Sequence, residues 1–351
     1  MNSLKGKGLS GIVNLGNTCF MNSAIQCMSN VHDLTKYFIF NEYKQSIKKD
    51  SNRYELLENW VRLMKGLWEN NCIVSPVSFH KNIRKIAYNE GYLNFTGFGQ
   101  NDTQEFLILL IDSLHEALAK PVNITITGEV KNDLDRDALQ AYKTWKNHFK
   151  NDYSKIVELF YGQFYSEICL NNNGVNESLS KNFDPVCYLN LPIPMNKANV
   201  NIYDCFDLFT TDEILDGDNK YQHPKTKELV EATKSIKFWK FPDILILSFK
   251  RFNNNRQKIN TLIDFPVEDL VLDKYLRGYE KNASFNLIGI SNHTGGSGGG
   301  HYYSYCLGEN GFWYEFNDTN VNKKHEKDII TSNAYVLFYK KIKNKKKTTK
   351  L

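Results

Sequence analysis

Two stretches near opposite ends of the chain carry residue types able to do covalent chemistry. In the first, GIVNLGNTCFMNSAIQCMSN (11–30), Cys19 stands directly before an apolar helical pattern and after a polar turn of Asn and Gly. A thiol at a helix N-terminus meets unpaired backbone N–H groups and the positive end of the macrodipole. Both favour the thiolate, which is the reactive form. Acyl transfer also needs a base and a donor for the developing oxyanion. Asn14, five residues upstream, carries an amide that can donate. Alone, this stretch equally describes a buried thiol ahead of an apolar helix.

The second stretch, TGGSGGGHYYSYCL (294–307), is a glycine-rich loop running into a strand that begins at His301. Alternation sets His301, Tyr303 and Tyr305 on one face. The turn GENG (308–311) then leads into FWYEFND (312–318). With Leu307 opposite Phe312, antiparallel register puts His301 opposite Asp318 and beside Asn317, within about one residue. A histidine beside an Asn-Asp pair is a base with an orienting partner, and the chain order Cys, His, Asn/Asp is that of papain-like enzymes. The glycines leave a narrow approach that suits a slim, glycine-ended tail. A phosphate-binding role for GGSGGG fails, because the loop enters a strand and not a helix N-terminus.

These residues need elements to carry them. Helices are expected over 18–30, with Thr18 as N-cap, over 54–69 and over 101–119. A fourth is expected over 136–150, where Ala138, Tyr142, Trp145 and Phe149 form a stripe. The second half changes to short β-rich runs: FYGQFYSEICL, VCYLNLPIP, DILILSFKRF, SFNLIGISNH, HYYSYCL, FWYEFND and AYVLFYK. Helices followed by strands, without βαβ alternation, argue for an α+β fold in one composite domain.

Composition excludes several classes. Of 351 residues, 41% are hydrophobic and 24% charged, an ordinary globular balance. No apolar run is long enough for a membrane span, and the N-terminus lacks a secretory apolar region, so an intracellular protein is expected. Seven cysteines at scattered spacing are expected as free thiols. The net charge of +5 is local: residues 340–351 hold seven lysines and no acid, which leaves −2 for the rest. A basic end is not a folded nucleic-acid-binding face.

Taken in order, these segments resemble the ubiquitin-specific protease family of deubiquitinases. GLSGIVNLGNTCFMNSAIQCMSN resembles its Cys box and GFGQNDTQEFLILLIDSLHE its Gln-and-Asp box. LFYGQFYSEI, YLNLPIP and KELVEATKSIKFWKFPDILILSFKRF resemble its middle motifs. GGGHYYSYCLGENGFWYEFNDTNV and AYVLFYKK resemble its His box and last strand. The resemblance runs from about Gly8 to Lys341 and implies a papain-like fold of thumb, palm and fingers. The single catalytic domain would span 8–342, with thumb about 8–120, fingers about 160–245 and palm mainly 246–342. A basic tail over 343–351 is expected to be disordered.

By the same resemblance Cys19 is the nucleophile, His301 its base, Asn317 the orienter, Asn14 the oxyanion donor, and Asp318 an aid at the oxyanion. Asp102 and Glu105 match positions that meet arginines of the ubiquitin tail, although acids at a helix N-terminus are also favoured by the dipole alone. Gly300 and Tyr302 match residues lining the channel for the terminal Gly-Gly. The implied reaction is hydrolysis of the bond after ubiquitin's last glycine. The implied partners are ubiquitin and ubiquitinated proteins, with no nucleic acid, no membrane and a monomeric, cytoplasmic or nuclear enzyme. A non-catalytic ubiquitin-binding module is opposed by the intact residue set, and a different ubiquitin-like modifier by the paired acids.

The sequence departs from the family in the fingers, where many members hold zinc with two Cys-x-x-Cys pairs. Here those pairs read CLNN (169–172) and HPKT (223–226). Cys169 and His223 alone cannot close a tetrahedral site, so neither zinc nor any other cofactor is expected.

Overall fold

The strands ILILSF and AYVLFYK have no polar face, and the reason is plain in the computed structural model, which describes residues 4–172, 175–253, 255, 257–296 and 299–343. Both lie in a sheet covered on both sides. The helices are α1 (Cys19–Ser29), α2 (His32–Ile39), α3 (Tyr54–Glu69), α4 (Val77–Asn89), α5 (Thr103–Leu118), α6 (Asp133–Phe149), α7 (Lys155–Phe160) and α8 (Ile202–Phe209). The strands used here are β1 (Gly162–Asn172), β2 (Val175–Asn182), β3 (Leu189–Leu191), β4 (Glu213–Leu215), β5 (Ala232–Lys240) and β6 (Ile244–Phe249). After them come β7 (Ser284–Gly296), β8 (Gly299–Leu307), β9 (Trp313–Asn317), β10 (Asn320–Lys324) and β11 (Ala334–Lys341).

The larger sheet runs β10-β9-β8-β7-β11-β6-β3, antiparallel except for the parallel pair of β6 and β3. The two-residue period of a strand sends neighbouring side chains to opposite faces. Accordingly Ile244, Ile246, Val336 and Phe338 enter a core shared with the helices, while Leu245, Leu247, Leu337 and Tyr339 enter a second core under the other face. Strand β8 follows the same rule, with Tyr302 and Cys306 in the first core and Tyr305 in the second. A separate antiparallel sheet, β2-β1-β5-β4, forms the fingers.

All eleven residues of α1 are buried. The helix lies between the sheet and the other helices, packing on β7 and β8, where the Ser23 and Ser291 hydroxyls share a 2.7 Å hydrogen bond. The segment before α1 is joined to the turn after β9: the Ile12 N–H donates to the Asp318 carbonyl at 2.8 Å. Gly11 approaches so closely that a Cβ there would run into the Thr319 carbonyl.

Two sequence expectations need correcting. Helix α6 begins at Asp133, ahead of the apolar stripe, because Asn132 and Asp135 form a capping box. Its stripe is only partly core: Ala138 and Phe149 are buried, but Tyr142 is 50% exposed and lines a surface cavity with Trp145. All seven cysteines are free thiols, and no helix among the described residues is long and apolar enough to cross a membrane. The expected tail, from residue 344 onward, lies outside the described residues.

In the fingers, Cys169 stands opposite Ser178 and Thr233 in the ladder. The His223 Nδ1 accepts the N–H groups of Lys225 and Thr226 at 3.2 and 3.1 Å. One imidazole lone pair thus folds the HPKT turn itself.

The close approach at Gly11 makes Gly11→Ala an overpacking change, expected to lower unfolding free energy by about 1–3 kcal/mol. Urea denaturation measures this, and a variant as stable as the parent would mean that the 11–13 segment and the 318–319 turn can part freely.

Candidate active site

The NLGNT turn is organised around one side-chain oxygen. Asn14 Oδ1 accepts from the Gly16 N–H at 3.0 Å, the Thr18 N–H at 3.1 Å and the Thr18 hydroxyl at 3.3 Å. Gly16 and Asn17 both take positive φ, 97° and 55°, which glycine and asparagine tolerate better than other residues. Thr18 precedes the helix as expected, but its hydroxyl receives the Leu15 N–H and does not cap α1. Because the Asn14 oxygen is fully engaged, the amide orientation is set. Its Nδ2 donates one hydrogen to Asp318 Oδ2 at 3.0 Å, and the second remains available on an exposed side chain. Cys19 follows as the first residue of α1, 3% exposed.

The histidine arrives from the sheet. In the β8–β9 hairpin Leu307 pairs with Trp313, one residue beyond the expected Phe312. Phe312 belongs to the turn, where its carbonyl accepts the Gly308 N–H at 2.9 Å. The pairing ends at Ser304 and Phe316, and past it His301 Nε2 lies 2.7 Å from Asn317 Oδ1. An amide oxygen can only accept, so Nε2 carries the proton and Nδ1 keeps the lone pair. The next residue, Asp318, has φ 50°. Its carboxylate turns to the helix side, accepting Asn22 Nδ2 at 2.8 Å on Oδ1 and Asn14 Nδ2 on Oδ2.

The thiol's surroundings differ from the sequence expectation. Burial raises the Cys19 pKa above its ordinary value, and the nearby Asp318 carboxylate raises it further. Backbone N–H groups of Tyr302, Phe20 and Cys19 itself pull the other way without prevailing. The helix N-terminus does favour the thiolate, but desolvation outweighs it. Burial and the Asp318 charge thus disfavour the Cys19 thiolate.

Asp102, Glu105 and Tyr302 line a cleft of about 470 Å³ together with Gln100, Asn101, Phe252, His293, Gly296 and Gly299. Asp102 caps α5 by accepting the Gln104 N–H at 2.6 Å, and it accepts the Tyr335 hydroxyl at 2.6 Å. Burial raises its carboxyl pKa, against the pull of the Tyr335 hydroxyl and of the Gln104 and Glu105 N–H groups. Glu105 is exposed and accepts Asn94 Nδ2 at 2.7 Å. The Tyr302 ring packs against the His293 ring, centroids 4.5 Å apart and planes tilted by 38°. Gly300 does not line the cleft. Its neighbour Gly299 does, because Gly300 is held back against His293.

Three participants escaped the sequence reading. Asn22, one helical turn after Cys19, is the second holder of Asp318; its polar type in an otherwise buried helix was the available signal. Gln100 bonds to the Gly300 backbone; it stands in the stretch that resembles the Gln-and-Asp box, which was the available signal. His293 is held neutral by burial and then by Lys258, with a pKa of about 4. Its place under Tyr302 follows from β7–β8 register, in which the two residues pair.

A thiol opening a buried helix, reached by the backbone N–H of the residue after His301, and an imidazole held by an amide oxygen are the parts of a papain-like cysteine hydrolase. More specifically, the chain belongs to the ubiquitin carboxyl-terminal hydrolase family, whose model matches residues 10–339. It is 35% identical over 347 residues to "Ubiquitin carboxyl-terminal hydrolase 2" of Homo sapiens, covering 97% of this chain and 56% of that protein. The Gallus gallus protein of the same name is 35% identical over 342 residues, covering 95% of this chain and 93% of the relative. A probable ubiquitin carboxyl-terminal hydrolase of Acanthamoeba polyphaga mimivirus is 29% identical over 426 residues, covering 95% and 90%. The chain thus spans little more than half the length of its human relative. Among solved structures, the SAGA Ubp8/Sgf11/Sus1/Sgf73 DUB module bound to ubiquitin aldehyde has the same fold, with TM-score 0.73 at 24% identity over 97% of this chain and 71% of that one.

Asp318→Asn removes a negative charge near the thiol and keeps one of the two acceptor oxygens, enough for Asn22 or Asn14 and not for both. The midpoint of iodoacetamide alkylation at Cys19, followed by peptide mass spectrometry against pH, should move to lower pH. An unmoved midpoint would mean that Asp318 exerts no field on the sulfur.

Proposed function

We propose that the chain is a deubiquitinase that hydrolyses isopeptide or peptide bonds after the C-terminal glycine of ubiquitin. The observation that carries this reading is the His301–Asn317 hydrogen bond, which leaves Nδ1 as the basic nitrogen in a chain of this family. In the mechanism His301 Nδ1 takes the proton of the Cys19 thiol as sulfur attacks the carbonyl carbon. The Asn14 N–H left free by Asp318 donates to the oxyanion, beside the N-terminal N–H groups of α1. Asn317 stabilises the imidazolium, which then gives its proton to the departing lysine amine. Water, deprotonated by the same imidazole, attacks the thioester and releases the ubiquitin carboxylate and the Cys19 thiol.

Asp102 and Glu105 give the cleft an acidic wall for the basic tail of ubiquitin. A guanidinium arriving there favours the carboxylate form of Asp102, against the burial that raises its pKa. Asp318 acts indirectly, by holding Asn14. The fingers fold without zinc, a reading supported by the engaged Nδ1 of His223. Metal analysis of purified protein should find no stoichiometric zinc, and one zinc lost on changing Cys169 would refute it.

Ubiquitin bearing a C-terminal electrophile should form a covalent adduct with the parent chain and none with Cys19→Ala. No adduct with the parent, or an adduct with the variant, would remove Cys19 from its role. Within the same reading Asn14→Ala should cost about 10²–10³ in kcat, whereas Glu105→Ala should raise KM and leave kcat nearly unchanged.

A further inference from the structure

We propose that Gln100 is a specificity-determining residue: its carboxamide clasps the backbone of Gly300 and sets the width of the passage to Cys19, admitting only a tail that ends in glycines. This rests on the reading of the chain as a deubiquitinase.

Gln100 Oε1 accepts the Gly300 N–H at 2.7 Å, and Gln100 Nε2 donates to the Gly300 carbonyl at 2.8 Å. A carboxamide presents one acceptor and one donor in a plane, as a peptide group does. It therefore pairs with a strand edge as a neighbouring strand would. The edge is open here because β9 pairs with β8 only from Ser304 onward. On its other side Gly300 has no room to retreat, since a Cβ there would run into His293 Nε2 and the Thr294 carbonyl. His293 in turn packs, tilted, against Tyr302. Residue 300 is thus gripped from both sides, immediately before His301.

The clasp joins a residue of the cleft wall to the residue preceding His301. Gln100 lines the cleft beside Asp102 and Glu105, and Gly300 lies two residues before Tyr302, whose backbone N–H reaches the Cys19 thiol; in this proposal a chain moving from the acids toward Cys19 passes the clasp. Glycine passes without disturbing the bridge, whereas a residue with a side chain must push the Gln100 carboxamide away and break both hydrogen bonds. At ordinary net strengths for two hydrogen bonds, that corresponds to a discrimination of roughly ten- to a hundredfold.

The test compares kcat/KM for two fluorogenic ubiquitin substrates, one with the natural tail and one with the last but one glycine replaced by alanine. The parent chain should prefer the natural tail, and Gln100→Ala should reduce that preference about tenfold. Gln100→Glu keeps the acceptor for the Gly300 N–H but sets an oxygen against the Gly300 carbonyl, and should relax the preference as well. Unaltered melting and an intact Cys19 adduct establish that the variants are folded. A general structural defect would slow both substrates alike, so an unchanged ratio in folded Gln100→Ala overturns the proposal. A parent without preference overturns it too, as does a variant faster on the natural tail at constant ratio, which would make Gln100 a lock and not a gauge. If the parent cannot hydrolyse the natural substrate at all, the deubiquitinase reading falls, and the clasp with it.

Discussion

The site depends on one carboxylate. Asp318 sits at the left-handed turn after β9 and takes hydrogen bonds from Asn14 and Asn22, which flank the cysteine on the helix side. Charge-assisted hydrogen bonds of this kind are stronger and shorter than neutral ones. Together with the Ile12–Asp318 backbone bond they fasten the segment carrying Cys19 to the hairpin carrying His301. Asn317, adjacent in sequence, points its amide the other way, to the imidazole. Two neighbouring residues at one turn thus hold the two halves of the machinery.

This arrangement has an electrostatic consequence. The charge that positions Asn14 also opposes ionisation of the thiol, and the burial that makes α1 a rigid support opposes it further. A helix N-terminus in water would favour the thiolate, but inside a two-sided core the loss of hydration wins. In the proposed enzyme, chemistry would be gated by the His301 imidazole and by the substrate carbonyl, which limits adventitious oxidation of Cys19.

The cleft shows the same economy of parts. Asp102 caps α5, holds the Tyr335 hydroxyl and lines the cleft, so one carboxylate serves three contacts. Gly296 and Gly299 also line the cleft, and Gly300 is pressed between the Gln100 amide and the His293 ring. Backbone forms much of that lining, and backbone recognises a slim, extended chain through its peptide groups and not through side chains.

The sequence by itself determined the α+β class, the two long helices over 54–69 and after Asp102, and the β-rich second half, because periodicity records which faces are buried. Cys19 before a helix, Asn14 in its turn and His301 beside Asn317 were also legible, since each depends on local spacing. Hairpin register came within one residue, the remainder being whether Phe312 belongs to the turn or the strand. Only the tertiary structure decided which partner each polar group takes: Asn317 for His301, Asp318 for Asn14 and Asn22, Tyr335 for Asp102, Gln100 for Gly300. It also reversed the expected direction for the Cys19 thiol. Both follow from the same physics, because hydrogen-bond pairing across the fold and desolvation depend on residues distant in sequence, and no local pattern records them.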